Sequence, residues 1–285
     1  MKKSVIILGS TGSIGKSTLL SIKNNKNFTI KLLSSNKNIK KLFEQAKTFN
    51  VKNVIIEDKN KYQKYKNKFY KNKIKLHYSI NSIQKIINTK VDFCVNSISG
   101  IDGLEPTIKL IPLTKNILIA NKETIICAWE IINKKIIKHK TNFIPIDSEH
   151  FSIWKLIENE KQNNINKVIL TASGGPFLNK SKKKLSNIKP KFALKHPNWK
   201  MGKKISIDSS NMMNKILEYI EAKKIFNLSK NQIDILIHPS SFVHAVVFFN
   251  NNLIKFLAHS TKMTIPISNA LNINNKKINI NFNND

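Results

Sequence analysis

The stretch SVIILGSTGSIGKST, Ser4 to Thr18, constrains the fold more than any other part of this 285-residue chain. An apolar run ends on Gly9, glycines recur at Gly12 and Gly15, and a helical pattern starts at once. Glycine lets a strand-to-helix corner turn tightly and lets the backbone approach a pyrophosphate. The new helix offers free N–H groups and the positive end of its dipole. The spacing predicts the opening β-α unit of a dinucleotide-binding sheet. A mononucleotide P-loop, G-x-x-x-x-G-K-[ST], matches at Gly15, Lys16 and Ser17 but would need its first glycine where Ser10 stands. A plain strand-to-helix corner is the other reading of the same turn.

The end of the second strand bears on which dinucleotide. A NAD site carries an acid about 20 residues past the glycines to hold the ribose 2′-OH. Here the strand runs into Ser34-Ser35-Asn36-Lys37-Asn38, with no carboxylate to repel a 2′-phosphate and with hydroxyls, amides and a cation to bind one. NADP(H) is the expected cofactor, while Lys37 also reads as one more solvated lysine.

Short β-branched runs then alternate with lysine-rich helical patterns. Strands are expected at 4–9, 28–35, 53–58, 92–98 and 117–122, and in a helix over 39–49 Ile39, Leu42, Phe43 and Ala46 share one face. This alternation predicts a parallel sheet covered on both sides. Near Phe143 the rhythm changes. A strand runs into the glycine turn at 168–177, a lysine-rich loop follows, and a helix at 210–226 precedes strands at 233–238 and 242–249. The expected fold is α/β, an N-terminal Rossmann-like doubly wound parallel sheet followed by an α+β domain. The expected bounds are 1–146 and 147–270, with 271–285 a linker.

The chain carries 49 Lys+Arg against 17 Asp+Glu, a formal charge of +32. Such a balance ordinarily suggests nucleic acid or an anionic surface. No arginine occurs, and asparagine and isoleucine are used heavily, as in an AT-rich coding sequence. Arginine is the preferred side chain for phosphate forks and guanine edges, so its absence argues against a specific nucleic-acid partner. Cys94 and Cys127 are far apart and form no CxxC pair, which fits a reducing compartment. The apolar run after MKK is too short for a signal peptide, and no stretch approaches a membrane span. The expected location is the cytoplasm, or an organelle stroma if a leader has been removed.

Against this background the acids stand out. IPIDSEH, Ile144 to His150, places Asp147 and Glu149 on either side of Ser148. Read as a strand end, residues i and i+2 share a face, so the two carboxylates converge at the carboxyl edge of the sheet. Neighbouring carboxylates raise each other's pKa unless a cation lies between them, and oxygen-only ligands suit Mg²⁺ or Mn²⁺. A surface turn with two solvated acids explains this stretch alone equally well.

The segment SSNMMNKILEYIEAKKIF, 209–226, favours the metal. It reads as one helix capped by Ser209 or Ser210, with Met213, Ile216, Leu217 and Ile220 as its buried stripe. Asn214, Lys215 and Glu218 then share an adjoining face, able to bind a phosphorylated substrate and to add a third metal ligand. A Lys–Glu pair at i,i+3 is also common on any exposed helix. Upstream, a loop over 193–204 holds His196 and Trp199, with Gly202 as a hinge, and reads as a lid.

The motifs GSTGSIG, ANKE, PIDSEH, SGGPF, HPNW-MG-K, DSSNMMNK-LE-IEA and IHPSSFVH, in this order, resemble the 1-deoxy-D-xylulose 5-phosphate reductoisomerase family. The resemblance runs from the first strand to about residue 270. It implies rearrangement of that phosphorylated sugar and reduction by NADPH to 2-C-methyl-D-erythritol 4-phosphate, an isoprenoid precursor, with a divalent ion (Mg²⁺, Mn²⁺ or Co²⁺). It implies cofactor contacts from Thr11, Gly12, Ser13, Ile14, Asn36, Lys37, Asn38, Asn121, Glu123 and Gly202, and metal ligation by Asp147, Glu149 and Glu218. Substrate contacts are implied for Lys122, Ser148, Glu149, Ser173, His196, Ser209, Asn214, Lys215 and Glu218. Trp199 and Met201 would close over the substrate, and Lys122 and His196 join the metal ligands as the expected catalytic set. A homodimer is implied as well. Ala172 stands where the family commonly has glycine. The family continues past a linker into a helical C-terminal domain, which is expected to be absent from a chain stopping at Asp285.

Overall fold

The computed structural model describes residues 2–199 and 201–273. Its first layer runs β1 (Lys3–Leu8), α1 (Ser13–Ile22), β2 (Phe28–Ser35), α2 (Ile39–Thr48), β3 (Asn53–Ile56), α3 (Lys59–Lys71), β4 (Lys75–Tyr78), α4 (Ile83–Ile86), β5 (Val91–Asn96), α5 (Leu104–Leu110), β6 (Thr114–Ile119), α6 (Lys122–His139) and β7 (Asn142–Pro145). All seven strands are parallel, in the order β4-β3-β2-β1-β5-β6-β7.

The apolar strands follow from burial on both sides. Val5 and Ile7 enter one core with α1, α2 and α3, while Ile6 and Leu8 enter the other with α5 and α6. With both faces covered, nothing in the strand needs to be polar. The strand order reverses between β1 and β5, and that reversal opens a crevice at the carboxyl edge, directly beside the glycine loop. The five expected strands are all present. The strand read just ahead of Asp147 is β7, and one further strand, β4, is only four residues long, with lysine and tyrosine at its ends to blunt the apolar signal.

The second layer comprises α7 (Ser148–Leu156), β8 (Ile165–Ala172), α8 (Lys182–Leu185), α9 (Lys203–Ser210), α10 (Met213–Ile225), β9 (Ile233–Ile237), β10 (Val243–Phe249), β11 (Ile254–Ala258) and α11 (Thr264–Ala270). Its sheet is mixed, in the order β11-β10-β8-β9, with only β8 and β9 parallel. Ile153 of α7 and Ala222 of α10 join Val168, Leu170, Ala245 and Val247 in a core on one face of this sheet. The chain then returns to the first layer, where α11 packs on α1 and buries Ile267, Ala270 and Leu271 in that core. The expected linker over 271–285 is described only as far as Ile273, and the remainder lies outside the described residues.

The segment 209–226 departs from the single helix expected of it. Ser209 and Ser210 end α9, and α10 starts at Met213 after Met212, whose φ is +64° and whose side chain makes no cap. A left-handed methionine costs about 1–2 kcal/mol. It turns the chain sharply enough for two helix ends to face one cleft. The buried stripe is also displaced. Lys215, Glu218, Glu221 and Ala222 are buried, while Met213 and Ile216 are 43% and 47% exposed.

Candidate active site

The glycine loop is bolted to the end of β2. Ser10 Oγ donates to Gln45 Oε1 at 2.7 Å, and Gln45 Nε2 donates back to the Ser10 carbonyl at 2.9 Å. The Gly9 amide donates to Ser34 Oγ at 3.1 Å, and the hydroxyls of Thr11 and Ser35 meet at 2.9 Å. Gly9 has φ +68°, and a Cβ there would stand 2.7 Å from the Ser97 carbonyl oxygen. At Gly15 a Cβ would lie 2.5 Å from both the Gly9 oxygen and Ser10 Cα, so its absence sets how closely α1 approaches the loop. Asn36–Asn38 lie beside this loop at the carboxyl end of β2, where Asn38 caps α2 by accepting from the Lys41 amide at 3.2 Å.

The cleft between the layers has a volume of about 530 Å³. Ser13 and Ile14 form one end, Ala120, Lys122, Asp147, Ser148 and Glu149 the floor, and Ser173, Ser209, Asn214, Lys215 and Glu218 the far wall. His196, Trp199, Met201 and Gly202 line it from the 193–204 loop. Thr11, Gly12, Asn36, Lys37, Asn38, Asn121 and Glu123 are outside this lining. Asn121 is buried at the start of α6, with Nδ2 donating to the Gly100 carbonyl at 2.8 Å and Oδ1 left without a partner. Glu123 pairs with Lys204 of α9 at 2.8 Å, tying the start of α9 to α6.

The acids converge by a different route from strand alternation. The strand ends at Pro145, and Asp147 is the N-cap of α7, accepting from the Glu149 amide at 3.3 Å. Glu149 sits in the first helical turn, so both carboxylates lie where a helix dipole favours negative charge. Glu218 arrives from α10. One oxygen from each of Asp147, Glu149 and Glu218 lies within 4.8 Å of the others. Lys122 pairs with Asp147 and, at 3.3 Å, with Glu218, while Lys215 pairs with Glu149 at 2.9 Å and with Glu218.

Lys122 opens α6 and is 8% exposed. A cation at a helix N-terminus opposes the dipole, and burial alone would push its pKa down. Asp147, Glu218 and Glu221 nonetheless hold it well above the usual lysine range. Burial would likewise depress Lys215, yet Glu149 and Glu218 keep it raised. Burial would raise Asp147, but Lys122 and His150 hold it well below the usual carboxylate range. Glu218 is raised, by burial first and by Glu149 next.

These carboxylates fit a divalent cation. They offer three hard oxygen donors, one from each residue within 4.8 Å of the others, against two ammonium groups. The glycine loop fits a pyrophosphate for the reasons of backbone approach given above.

In the 193–204 loop, His196 Nδ1 accepts from the amides of Asn198 (3.2 Å) and Trp199 (3.0 Å), so the ring proton resides on Nε2 and is donated to Ser173 Oγ at 3.0 Å. Burial lowers the pKa of His196 and keeps this neutral tautomer. Gly174 and Gly175 have φ of +82° and +72°, and a Cβ on Gly175 would stand 2.6 Å from the Ser209 oxygen. That close approach brings Ser173 and Ser209 to one wall. Ala172 is accommodated as the last residue of β8, 4% exposed. The sequence reading assigned no role to His150, Glu221, His244 or Thr261–Thr264. His150 and His244 lay within motifs already in view, whereas Thr261–Thr264 reach the cleft only through the return of α11.

The doubly wound sheet, its glycine loop and the acid- and lysine-lined crevice at its carboxyl edge define a dinucleotide-dependent oxidoreductase with a second, α+β layer. Residues 5–129 match the family profile described as 1-deoxy-D-xylulose 5-phosphate reductoisomerase, and residues 143–226 match the profile of that enzyme's C-terminal domain. The chain belongs to the 1-deoxy-D-xylulose 5-phosphate reductoisomerase family. The family enzyme of Pelagibacter ubique (strain HTCC1062) is 57% identical over 279 residues, which cover 96% of this chain and 72% of that protein. That of Wolbachia pipientis subsp. Culex pipiens (strain wPip) is 44% identical, covering 94% and 69%. A crystal structure of DOX-P reductoisomerase in complex with NADPH, fosmidomycin and magnesium superposes with a TM-score of 0.87 at 36% identity, covering 94% of this chain and 69% of the other. The Zymomonas mobilis enzyme in complex with NADPH gives a TM-score of 0.87 at 32% identity, covering 95% and 70%.

Proposed function

We propose that this chain converts 1-deoxy-D-xylulose 5-phosphate to 2-C-methyl-D-erythritol 4-phosphate, with NADPH and a divalent metal, through the residues gathered around the cleft. The observation that carries this reading is the meeting of Asp147, Glu149 and Glu218 in a cleft that also reaches the glycine loop. The proposed division of labour gives 1–146 the cofactor and 147–270 the metal and substrate.

Asp147, Glu149 and Glu218 would hold the cation, which when bound supplies Lewis-acid stabilisation of oxygen charge. Thr11, Gly12, Ser13 and Ile14 would hold the pyrophosphate side of NADPH and Asn36, Lys37 and Asn38 its 2′-phosphate. Asn121, Glu123 and Gly202 would border the nicotinamide, the hydride source. The chain's own groups do the remaining work. Lys122, fixed as an ammonium by its carboxylate neighbours, faces oxygen charge as it develops and lowers its cost. Ser173, Ser209, Asn214 and Lys215 present hydroxyl, amide and ammonium donors to the substrate, chiefly its phosphate, with Ser148 on the floor beside them. His196 offers its Nε2 proton, and Trp199 and Met201 exclude water when the lid is closed.

We further infer a homodimer. The second sheet leaves one face open, with Leu236, Ile254 and Phe256 55%, 58% and 65% exposed, an apolar patch suited to a second copy. Light scattering that gives a monomer mass at micromolar concentration would reject this part. A cytoplasmic or stromal location suits two cysteines that form no disulfide. Among the described residues, no helix is long and apolar enough to cross a membrane.

The test is NADPH oxidation by the purified chain with 1-deoxy-D-xylulose 5-phosphate, with Mn²⁺ and then with chelator. Turnover that requires the metal and is lost in Glu218→Gln is expected. Turnover that persists under chelation, or full activity in Glu218→Gln, overturns the metal assignment.

A further inference from the structure

Behind the three carboxylates lies a fourth that the reaction described above does not use. Glu221 sits on α10 nearly one turn past Glu218 and is 3% exposed. Its Oε2 approaches His150 Nδ1 at 3.3 Å, and neither atom has a hydrogen-bond partner elsewhere. His150 is wholly buried, its ring tilted against Phe226.

The other ring nitrogen fixes the chemistry of this pair. His150 Nε2 lies 2.9 Å from the main-chain carbonyl of Glu218. A carbonyl only accepts, so Nε2 carries the proton. Nδ1 then faces Glu221 Oε2 at 3.3 Å and Asp147 Oδ1 at 3.4 Å. A proton held between Nδ1 and Glu221 satisfies two buried atoms that would otherwise each cost the desolvation of an unpaired group. Asp147 is held from its opposite oxygen by Lys122, which also reaches Glu218. One imidazole therefore touches the Asp147 carboxylate at the start of α7 and the Glu218 backbone in α10, and Glu221 anchors that imidazole from behind.

We propose that Glu221 is a positioning residue: through His150 it sets the Asp147 carboxylate and the Glu218 turn of α10 in the arrangement that receives the divalent ion. This rests on the metal reading given above. Glu221 is not among the residues that line the cleft, and the effect proposed for it on the metal ligands passes through the ring. Partners of this kind, behind metal ligands, typically change metal affinity by about 10–100-fold when removed.

The experiment is a Mn²⁺ titration of the full chain followed by electron paramagnetic resonance at one fixed pH, with NADPH binding measured by fluorescence on the same samples. In Glu221→Gln the Mn²⁺ affinity is expected to fall by about 10–100-fold with NADPH binding unchanged, a split that a merely structural role would not produce. His150→Gln, which keeps a group near the Glu218 carbonyl and removes the one facing Glu221, is expected to weaken Mn²⁺ binding as well. The double variant is expected to lose no more than His150→Gln alone, because Glu221 acts through the ring. Parental Mn²⁺ affinity in an NADPH-binding Glu221→Gln protein, or losses that simply add, overturns the proposal. If Glu221→Gln does not bind NADPH, Glu221→Asp decides in the same way: weakened Mn²⁺ binding supports the role and parental binding overturns it. A parent chain that binds NADPH but no Mn²⁺ overturns the metal reading, and this inference with it.

Discussion

Replacing Gly15 by alanine tests how the glycine loop creates its cofactor site. Gly15 lies inside α1, where alanine is intrinsically favoured by about 1 kcal/mol. Propensity alone therefore predicts a more stable protein. The tertiary contact predicts the reverse. The new methyl would stand 2.5 Å from the Gly9 oxygen and from Ser10 Cα, and 2.7 Å from the Ser10 carbonyl carbon. All three are backbone atoms, and Ser10 is locked to Gln45 and Ser34, so no side chain can swing aside. To restore ordinary contact, α1 must withdraw by nearly 1 Å, roughly the difference from a normal carbon separation of about 3.5 Å. Overpacking of this sort costs about 1–3 kcal/mol, which cancels the propensity gain and leaves a net loss of roughly 0–2 kcal/mol. At about 2–4 °C per kcal/mol for chains approaching this size, the melting temperature is expected to fall by a few degrees. The larger effect falls on NADPH, because the withdrawn helix end carries the amides proposed to face the pyrophosphate. A tenfold loss of affinity corresponds to about 1.4 kcal/mol, and at least that is expected. Fluorescence titration of NADPH and a thermal melt measure both quantities. Gly12→Ala, whose methyl would meet only the Gly9 oxygen at 3.3 Å, should have the smaller effect. A Gly15→Ala protein that melts at or above the parental temperature and binds NADPH as the parent does refutes the reasoning.

The other expectations concern the charged cluster and the lid. Lys215→Met strips Glu149 and Glu218 of a buried cation and should destabilise the metal-free chain by about 3–5 kcal/mol in urea unfolding, and a loss well under that range would mean the cluster relaxes to water. Trp199 rests edge-on against His244 with centroids 5.9 Å apart, a contact worth about 0.5–1.5 kcal/mol, so Trp199→Ala should raise the substrate KM by roughly 2–12-fold, and an unchanged KM would remove the residue from lid closure. His259, buried and stacked on His244 at 3.8 Å, titrates at about 4 instead of 6.5. A base with a depressed pKa binds its proton more readily when unfolded, so this contribution is whole above pH 6.5 and is lost as pH falls towards 4. The full shift amounts to about 3 kcal/mol, and denaturant unfolding across that range should show a shallower loss in His259→Asn than in the parent.

The short-range features were legible in the sequence because their physics is local. Glycines between an apolar run and a helical pattern, five β-branched strands, and a hard acidic motif in a lysine-rich chain each carry their meaning within about ten residues. The three acids proposed to hold a divalent ion could be named from the sequence, but their geometry could not. Asp147 and Glu149 converge because a strand ends and a helix begins between Pro145 and Ser148, and an i, i+2 strand face and a capped first turn look alike in one dimension.

The helix over 213–225 shows where sequence reasoning stops. By periodicity its apolar stripe belongs inside, yet Lys215, Glu218 and Glu221 are the buried residues and Ile216 is half exposed. Burying charge is tolerated only where partners wait, and those partners come from distant segments: Lys122 opening α6, and Glu149 and His150 in the first turn of α7. Hydrophobic patterning registers what a segment would bury against an apolar neighbour. The sequence by itself determined the residue types, the loop and the sheet, whereas the tertiary structure alone decided which helix face turned inward, because that choice depends on charges more than 60 residues away along the chain.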